Sequence, residues 1–357
     1  AMAQRLFPQI FDQAITFNSA RYDPLTSDKL TDQFLNLFAR FGIIPAAGFN
    51  NVQMFDSEDQ APGDDTSVVS SLIAGNLFGP LTNVTTESNS HVIEPLMDSL
   101  AVQALVWSMN SDLTLADTAK IMEAASNLEK NTDERLVEAL YWLLTGTKIT
   151  LPEFQAGTIS AGDINARQTF YEKVIQLQGI IGDIPALFLE SLVGVAASTL
   201  EAQAFSGLSY RYALRALNPF RIEGDPSIYD PHNQNGELDL YTSDTGAGTL
   251  TSQWISDRAK FLAWKMNINT ADRTSGLNTT SGDSAWYHDR TLGESAYVLA
   301  SSQQVALRTL RSPRAIEGLL KKIDAQRIFF GSDAVAGDAF DGGAKSDFLY
   351  GGGGNDR

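Results

Sequence analysis

The sequence predicts a mainly α-helical fold, with two helical subdomains followed by the start of a parallel β-roll. Apolar residues recur at helical spacing along most of the 357 residues. Capping residues and glycines bound several of these stretches. After residue 330 the composition changes to glycine and aspartate with a nine-residue period. We therefore predict an N-terminal helical domain at 1–150, a second helical domain with long loops at 151–330, and the first turns of the roll at 331–357.

The N-terminal domain is predicted to consist of helical hairpins. The stretch TSDKLTDQFLNLFARFG at 26–42 begins with a capping serine and ends at a glycine, which are the usual signals for the two ends of a helix. Further helical patterns lie at 91–110, 114–127 and 131–146. Thr114 and Asp117 form a pair of capping-box type at the start of one of them.

Helical patterns in the second domain lie at 164–179, 184–198, 198–217, 252–267 and 312–324. In the first of these, Phe170, Val174 and Leu177 share one face of the predicted helix. The apolar stretch 184–198 is too short to cross a membrane, so we interpret it as a buried helix. The residues between these helices, at 219–248 and 268–285, are rich in turn-forming types and are predicted to be loops, the first with one hairpin.

Charge and composition exclude several classes of protein. The 26 basic and 43 acidic side chains give a net charge of -17, which repels nucleic acid and favours divalent cations. The chain has no cysteine, so disulfides, thiolate catalysis and cysteine-based zinc sites are excluded. No apolar run approaches the roughly 20 residues of a membrane-spanning helix, and residues 1–17 lack the apolar stretch of a secretory signal. We expect no nucleic-acid partner, and the absence of cysteine favours an exported protein.

Aspartates recur every nine residues near the end of the sequence. Asp338, Asp347 and Asp356 keep this period, and Phe340 and Leu349 follow the first two by two positions. The register is G-G-x-G-x-D-x-U-x, the nonapeptide of calcium-binding parallel β-rolls, in which the large apolar residue faces inward. Glycine permits the tight turns, and its carbonyls and the aspartate carboxylates surround Ca²⁺ with oxygen. The predicted calcium ligands are Asp338, Gly342, Gly343, Asp347, Gly351, Gly352, Gly353, Gly354 and Asp356.

Two of the copies depart from this pattern. Lys345 stands where the middle copy would have a glycine, and the first copy, DAVAGDAFD, lacks its glycine pair. We interpret the first copy as an entry cap without a full calcium site, and we expect Lys345 to weaken calcium binding in the next turn. Because one coil of a roll cannot bury its own apolar face, we also expect this sequence to be the N-terminal portion of a longer protein.

The nonapeptides resemble those of the RTX family, the type I-secreted bacterial exoproteins and toxins with hemolysin-type calcium-binding repeats. The segment 210–266, which begins YRYALRALNPF, is similar to the helical module that often lies upstream of such repeats. The resemblance covers about residues 160–357. It implies calcium as the cofactor, export through a type I secretion channel, folding outside the cell, and a host-cell or surface target. The favoured function is therefore the helical scaffold region of a secreted, extracellular RTX exoprotein.

Two alternative functions are a secreted lipase-like hydrolase and a membrane-active toxin. A hydrolase of the α/β class needs G-x-S-x-G between a strand and a helix, and the nearest approach, around Ser209, lies within a predicted helix and lacks the second glycine. The acidic charge and the lack of a basic amphipathic face count against membrane insertion. We therefore leave the presence of an enzymatic activity open and name no catalytic residue.

The three histidines, His91, His232 and His288, show no metal-ligand spacing. His232 lies in a loop with five oxygen-bearing side chains that offer an alternative calcium site, although the order of an EF-hand loop is not kept. His288 and Asp289 lie beside Trp286 and form a candidate acid–base pair. A cluster of this kind is more often a loop held by stacking and an ion pair. Asp23, Asp225 and Asp230 each precede a proline, but the loop that accompanies self-cleaving Asp-Pro modules is not visible.

Overall fold

The computed structural model describes the following residues: 14–17, 52–59, 81–86, 93–126, 132–152, 161–270, 279–280, 284–300, 325–332, 337–340 and 342–352. The chain divides into two compact units, Ala1–Ala101 and Val102–Arg357. The predicted domain limits at 150 and 330 stay predictions. The helices predicted at 26–42 and 312–324 lie outside the described residues, as does His91.

The first unit contains a parallel sheet of three strands. They are β1 (Ala14–Phe17), β2 (Val52–Asp59) and β3 (Leu81–Thr86), in that order across the sheet. Ala14 pairs with Val52, and Met54 pairs with Leu81. The prediction of a purely helical N-terminal domain is therefore wrong for these segments.

Seven α-helices lie within the described residues: α1 (Ile93–Met109), α2 (Leu115–Ala125), α3 (Thr132–Thr145), α4 (Ala161–Asp183), α5 (Ala197–Ala204), α6 (Leu208–Ala216) and α7 (Ser252–Thr270). The capping box at the start of α2 is confirmed, since the Asp117 amide donates to Thr114 Oγ1 at 3.1 Å and the Thr114 amide donates to the Asp117 carboxylate at 3.1 Å. The predicted apolar face of α4 is also confirmed, because Phe170, Val174 and Leu177 are buried.

Two helix predictions in the second unit are wrong. Residues 184–198 contain the strand β4 (Phe188–Ser191), which pairs antiparallel with β5 (Phe220–Glu223) in the segment expected to be a loop. The fully buried pair Leu189 and Ile222 explains the apolar character that favoured a helix. Residues 198–217 form two helices rather than one, because Gly207 adopts an extended conformation between α5 and α6.

The second unit also contains a sheet of five strands. Its strands are β6 (Thr279–Thr280), β7 (Ala285–Asp289), β8 (Glu294–Ala300), β9 (Gln326–Phe330) and β10 (Phe348–Tyr350), in the order β10-β9-β7-β8-β6. The pairs β7–β9 and β9–β10 are parallel, whereas β7–β8 is antiparallel. The predicted mainly α fold class is therefore wrong, because helices and sheets share the described chain. Strands such as AWYHD and QRIFF are short and aromatic, and the strands that pair with them are distant in sequence. Their local sequence therefore shows no periodicity that predicts a strand.

Helix α7 covers one face of this sheet. Phe261 of α7 stacks on Tyr287 with ring centroids 5.6 Å apart and on Phe330 at 6.0 Å. We call this the helix face; its residues on the three parallel strands are Tyr287, Ile328, Phe330 and Tyr350. Burying a side chain of this size stabilises a fold by about 1.5–3 kcal/mol, so the contact fixes the position of the sheet.

The opposite face of the same strands carries Trp286, His288, Phe329 and Leu349, because neighbouring residues of a strand point to opposite sides. We call it the roll face. Phe340, from the loop between β9 and β10, packs on Phe329 across this face with ring centroids 6.1 Å apart.

A buried ion pair joins α7 to β7. Arg258 Nη2 lies 2.6 Å from Asp289 Oδ2, and both side chains are almost completely buried. The guanidinium also donates from Nε to the Leu214 carbonyl at 3.0 Å and from Nη2 to the Arg215 carbonyl at 2.5 Å. Burial lowers the pKa of Arg258, and the neighbouring Asp289 carboxylate opposes that shift. These contacts fix the last turn of α6 against the sheet.

Candidate functional site

The glycine- and aspartate-rich turns lie at the edge of the five-stranded sheet. Asp347 directly precedes β10, and Asp338 lies in the loop between β9 and β10. The predicted ligands Gly342, Gly343, Gly351 and Gly352 are described, whereas Gly353, Gly354 and Asp356 lie outside the described residues. Parts of two of the three predicted repeats therefore lie within the described residues.

The Asp347 carboxylate connects its own turn to the neighbouring strand. Its Oδ1 accepts a hydrogen bond from the Arg327 amide of β9 at 2.7 Å, and its Oδ2 accepts one from the Gly343 amide at 2.5 Å. The two β-strands and the turn are thereby held by one side chain. Both oxygens retain lone pairs, since a carboxylate offers about four acceptor positions.

At two glycines the backbone approaches the carboxylates so closely that an added Cβ would force them to shift. A Cβ on Gly342 would lie 2.9 Å from Asp347 Oδ2. A Cβ on Gly331, at the end of β9, would lie 2.1 Å from the Gly351 carbonyl oxygen and 2.7 Å from Asp338 Oδ2. Gly331 was not among the predicted site residues. The only sequence signal for it is a glycine directly after an aromatic strand, which marks many ordinary turns.

Asp338 has an arginine as its counter-ion. Arg290 Nη1 donates to Asp338 Oδ1 at 2.7 Å, and Ser332 donates to Oδ2 through its amide and, at 3.1 Å, through its hydroxyl. These hydrogen bonds lower the pKa of Asp338, and the bond from Arg290 has the largest effect. The Arg290 guanidinium also lies over the Phe340 ring, 5.5 Å from its centroid. A divalent cation at Asp338 would have to displace Arg290, and the predicted calcium site at this residue stays a prediction.

A calcium site at the turn around Asp347 would have suitable donor atoms, although the Arg327 guanidinium lies close to Gly343. Its ligand oxygens would come from the Asp347 carboxylate and from backbone carbonyls of the adjacent glycines, a set of hard oxygen donors of the kind that Ca²⁺ prefers. Among the described residues, no three histidine, aspartate or glutamate side chains gather as a metal-binding group. A site here would therefore depend on carbonyl oxygens.

Leu349 was predicted to face inward, and the structure agrees with this prediction only in part. Leu349 lies on the roll face with Phe329, as the repeat pattern requires. It is nevertheless 44% exposed, and its neighbour Phe348 is 37% exposed. Tyr350 instead provides the main apolar contact of β10, with its ring stacked on Phe330 of the helix face at 4.8 Å.

The predicted acid–base pair of His288 and Asp289 is separated by the strand that carries it. Asp289 points to the helix face and pairs with Arg258, whereas His288 points to the roll face, where its Nδ1 lies 2.9 Å from Ser295 Oγ. Adjacent residues of an extended strand cannot act on one proton. The hypothesis of an acid–base pair is therefore wrong.

The side chains of His232 and of the loop after it bond to other groups of the same unit. His232 Nε2 lies 3.0 Å from the Leu143 carbonyl oxygen, and its ring packs on Tyr212 at 4.6 Å. Burial lowers the pKa of His232. In the loop, Asn233 donates to Asp239 at 3.0 Å and accepts from the Leu238 amide at 2.7 Å. These contacts fold the loop on itself.

Ser209 lies in the first turn of α6, where its Oγ accepts a hydrogen bond from Arg221 Nη1 at 3.4 Å. This position is a helix start and not the strand-to-helix turn of a hydrolase nucleophile. Of the helices that the structure describes, none is long and apolar enough to cross a membrane.

Comparison with protein-family models, with curated proteins and with solved structures found no match.

Proposed function

We propose that the second unit is the scaffold on which a calcium-binding parallel β-roll of a secreted exoprotein begins. The observation that carries the proposal is the parallel ladder β7–β9–β10, in which Asp347 of the nine-residue repeat joins β10 to β9. Parallel strands expose unpaired backbone groups at their edge, and β10 is the edge strand. The next coil of a roll would pair with this edge.

The spacing of the ladder supports a coiled path. Phe348 pairs with Ile328, so the chain returns to the same position of the sheet after 348 minus 328, or 20, residues. Two nine-residue repeats account for 18 residues of such a return, and the loop that contains Asp338 and Phe340 lies between the two strands. Phe340 packs back on the roll face, as the apolar residue of an opposite coil wall would.

The first coil is held without a metal ion in this proposal. Arg290 neutralises Asp338, and the Tyr350 hydroxyl donates to Asp257 of helix α7 at 2.7 Å. Such a coil gives the following repeats a rigid edge to pair with, which removes the cost of nucleating a parallel ladder. Calcium would first be needed at Asp347, where the carboxylate and glycine carbonyls supply oxygen ligands.

Calcium titration of the purified chain by isothermal calorimetry tests the proposal. The charge-removing substitution Asp347→Asn is compared with Asp244→Asn, which changes an exposed aspartate in a loop of the same unit. We expect the parent to bind Ca²⁺ in preference to Mg²⁺ with a Kd of about 10⁻⁴–10⁻³ M, the range of extracellular modules. Asp347→Asn should weaken this by about tenfold or more, because a charged ligand is lost.

Two results would contradict the proposal. If the chain binds no calcium, or if Asp347→Asn binds it as tightly as the parent and the Asp244→Asn control, the assignment to the repeat is wrong. Sub-micromolar affinity would contradict the extracellular part of the proposal, because the site would then fill before export.

A further inference from the structure

A pocket of about 300 Å³ lies in the second unit, and none of the described residues of the glycine-rich turns lines it. Its walls come from α3, the segment after α3, the end of α6, α7 and the turn between β7 and β8. This volume is at the lower end of the range of about 300–1,000 Å³ that is usual for small-molecule sites. The pocket therefore has room for a small ligand only.

The charged lining of the pocket is mostly basic. Arg135, Lys148 and Lys265 are its cations, and Glu138 is its carboxylate. Behind the wall, Glu294 forms an ion pair with Arg135 and lies 3.8 Å from Lys265 Nζ. Three positive and two negative groups leave a local charge of +1 in a chain whose net charge is -17. A basic pocket in an acidic protein attracts anions selectively.

Two hydrogen-bond donors of the pocket residues lack a partner among the described residues. Asn218 lines the pocket and is only 5% exposed, and its Nδ2 is buried without an acceptor. Arg135 Nε is also buried and has no acceptor among the described residues. A buried donor without an acceptor costs about 1–3 kcal/mol, so a ligand acceptor that reached either nitrogen after a small shift of the pocket wall would recover this free energy.

The backbone beside Asn218 is strained. Leu217 adopts a left-handed conformation with φ of 53°, which is unfavourable for any residue other than glycine. Its side chain is nonetheless buried in the core. The reversal at Leu217 ends α6 and sets the position of Asn218 at the pocket wall.

Lys265 is the most deeply buried cation of the pocket. Its Nζ donates to the Ala124 carbonyl at 3.3 Å. Burial lowers the pKa of Lys265, and the Glu294 carboxylate opposes this shift. An additional anion in the pocket would stabilise the ammonium form.

We propose that this pocket binds a small molecule with one carboxylate and a short apolar tail. A monocarboxylate would cancel the local charge of +1, whereas a phosphate dianion would reverse it. The carboxylate would accept hydrogen bonds from the amide of Asn218 and from Arg135. Trp142, Ile149 and Leu292 provide the apolar lining for the tail. The inference is independent of the calcium proposal, because the two sites share no residue.

Calorimetric titration of the intact chain with hexanoate, hexanamide and inorganic phosphate tests this proposal. Hexanoate and hexanamide have the same length and differ in charge. We expect hexanoate to bind with a Kd of about 1 mM or below and at least about tenfold more tightly than hexanamide. Inorganic phosphate should bind more weakly than hexanoate, because it lacks the apolar tail and its second charge is not compensated.

Two substitutions assign the binding to the pocket. Asn218→Asp keeps the size of the side chain but replaces the donor with a negative charge, and it should weaken hexanoate binding by about tenfold or more. Lys148→Ala removes an exposed cation of the pocket without disturbing the core, and should weaken binding about threefold. Lys173→Ala is the matched control: Lys148 lies over the ring of Trp142 at 4.1 Å, and Lys173 over that of Tyr141 at 4.7 Å, outside the pocket lining.

Absence of hexanoate binding at millimolar concentration, or equal binding of hexanoate and hexanamide, would overturn the proposal. Equal effects of Lys148→Ala and Lys173→Ala would overturn it as well. Because Lys148 is exposed, this comparison stays decisive even if Asn218→Asp does not fold. Loss of calcium binding in Asp347→Asn has no bearing on either outcome.

Discussion

The hydroxyl of Tyr350 donates a 2.7 Å hydrogen bond to Asp257 Oδ2, which connects the first strand of the glycine-rich repeats to the long helix α7. Asp257 is almost completely buried, and it also accepts a bond of 3.1 Å from Gln253 and lies 3.6 Å from Lys260. Burial and the neighbouring Asp257 carboxylate raise the pKa of Tyr350. The phenol therefore stays protonated and acts as a donor at physiological pH.

Replacing Tyr350 by Phe tests this connection. The substitution keeps the ring that stacks on Phe330 and removes only the hydroxyl donor. We expect β10 to be destabilised by about 1–2 kcal/mol, since the bond involves a charged and buried acceptor. Amide hydrogen exchange at Leu349 and Tyr350 should accelerate while α4 is unchanged. Tyr241→Phe, at an exposed tyrosine, is the control; an equal effect of both substitutions would contradict the assigned role.

Gly331→Ala should open the first coil. The added Cβ would meet the Gly351 carbonyl oxygen at 2.1 Å, so β9 and β10 would have to move apart. We expect a loss of about 2 kcal/mol or more in the stability of the sheet edge. Gly179→Ala is the matched control, because a Cβ in the middle of α4 meets nothing within 4 Å and should be neutral or stabilising by up to about 1 kcal/mol. Thermal unfolding followed by fluorescence compares the two variants, and similar melting temperatures would contradict the close approach.

Arg290→Gln should raise the pKa of Asp338 towards the ordinary aspartate value of about 3.9. In the parent, Arg290 and Ser332 hold this pKa below that value. A lowered pKa in the folded state means that the ion pair stabilises the fold fully above about pH 4, and that this contribution is lost as the pH falls through the lowered folded pKa. NMR titration of the Asp338 carboxyl carbon measures the shift, with Arg221→Gln as a remote control. An unchanged pKa in Arg290→Gln would show that Arg290 is not the counter-ion.

Arg258→Met should destabilise the second unit by about 3–5 kcal/mol, because it leaves the buried Asp289 carboxylate without its cation. Chemical denaturation measures this loss. Lys260→Met, at an exposed position of the same helix, should cost far less. The double variant Arg258→Met, Asp289→Leu should be more stable than Arg258→Met alone, since no unpaired charge remains. A double variant that is less stable would mean that the other contacts of Asp289 dominate.

Local sequence signals predicted the parts of the structure that local contacts determine. The capping box of Thr114 and Asp117 and the buried face of α4 are of this kind, because the residues that form each pattern lie within one or two helical turns of one another. The nine-residue period likewise indicated that Asp347 has a special position in a tight turn, and the structure places it between two parallel strands.

The strands and the ion pairs could not be predicted because their partners are distant in sequence. Arg290 and Asp338 are 48 residues apart, and Asp257 and Tyr350 are 93 apart. Short aromatic strands such as β7 and β9 carry no periodicity that separates them from loops or buried helices. The pocket was missed for the same reason, since Arg135, Asn218 and Lys265 come from three distant parts of the chain.

Amide hydrogen exchange along residues 343–352, with and without calcium, tests the central claim most directly. If the turn around Asp347 closes on a calcium ion, millimolar Ca²⁺ should slow exchange in this segment of the parent chain, leave α4 unchanged, and have little effect in Asp347→Asn. Exchange rates in this segment that are the same with and without calcium, or slowed equally in the parent and in Asp347→Asn, would contradict the account.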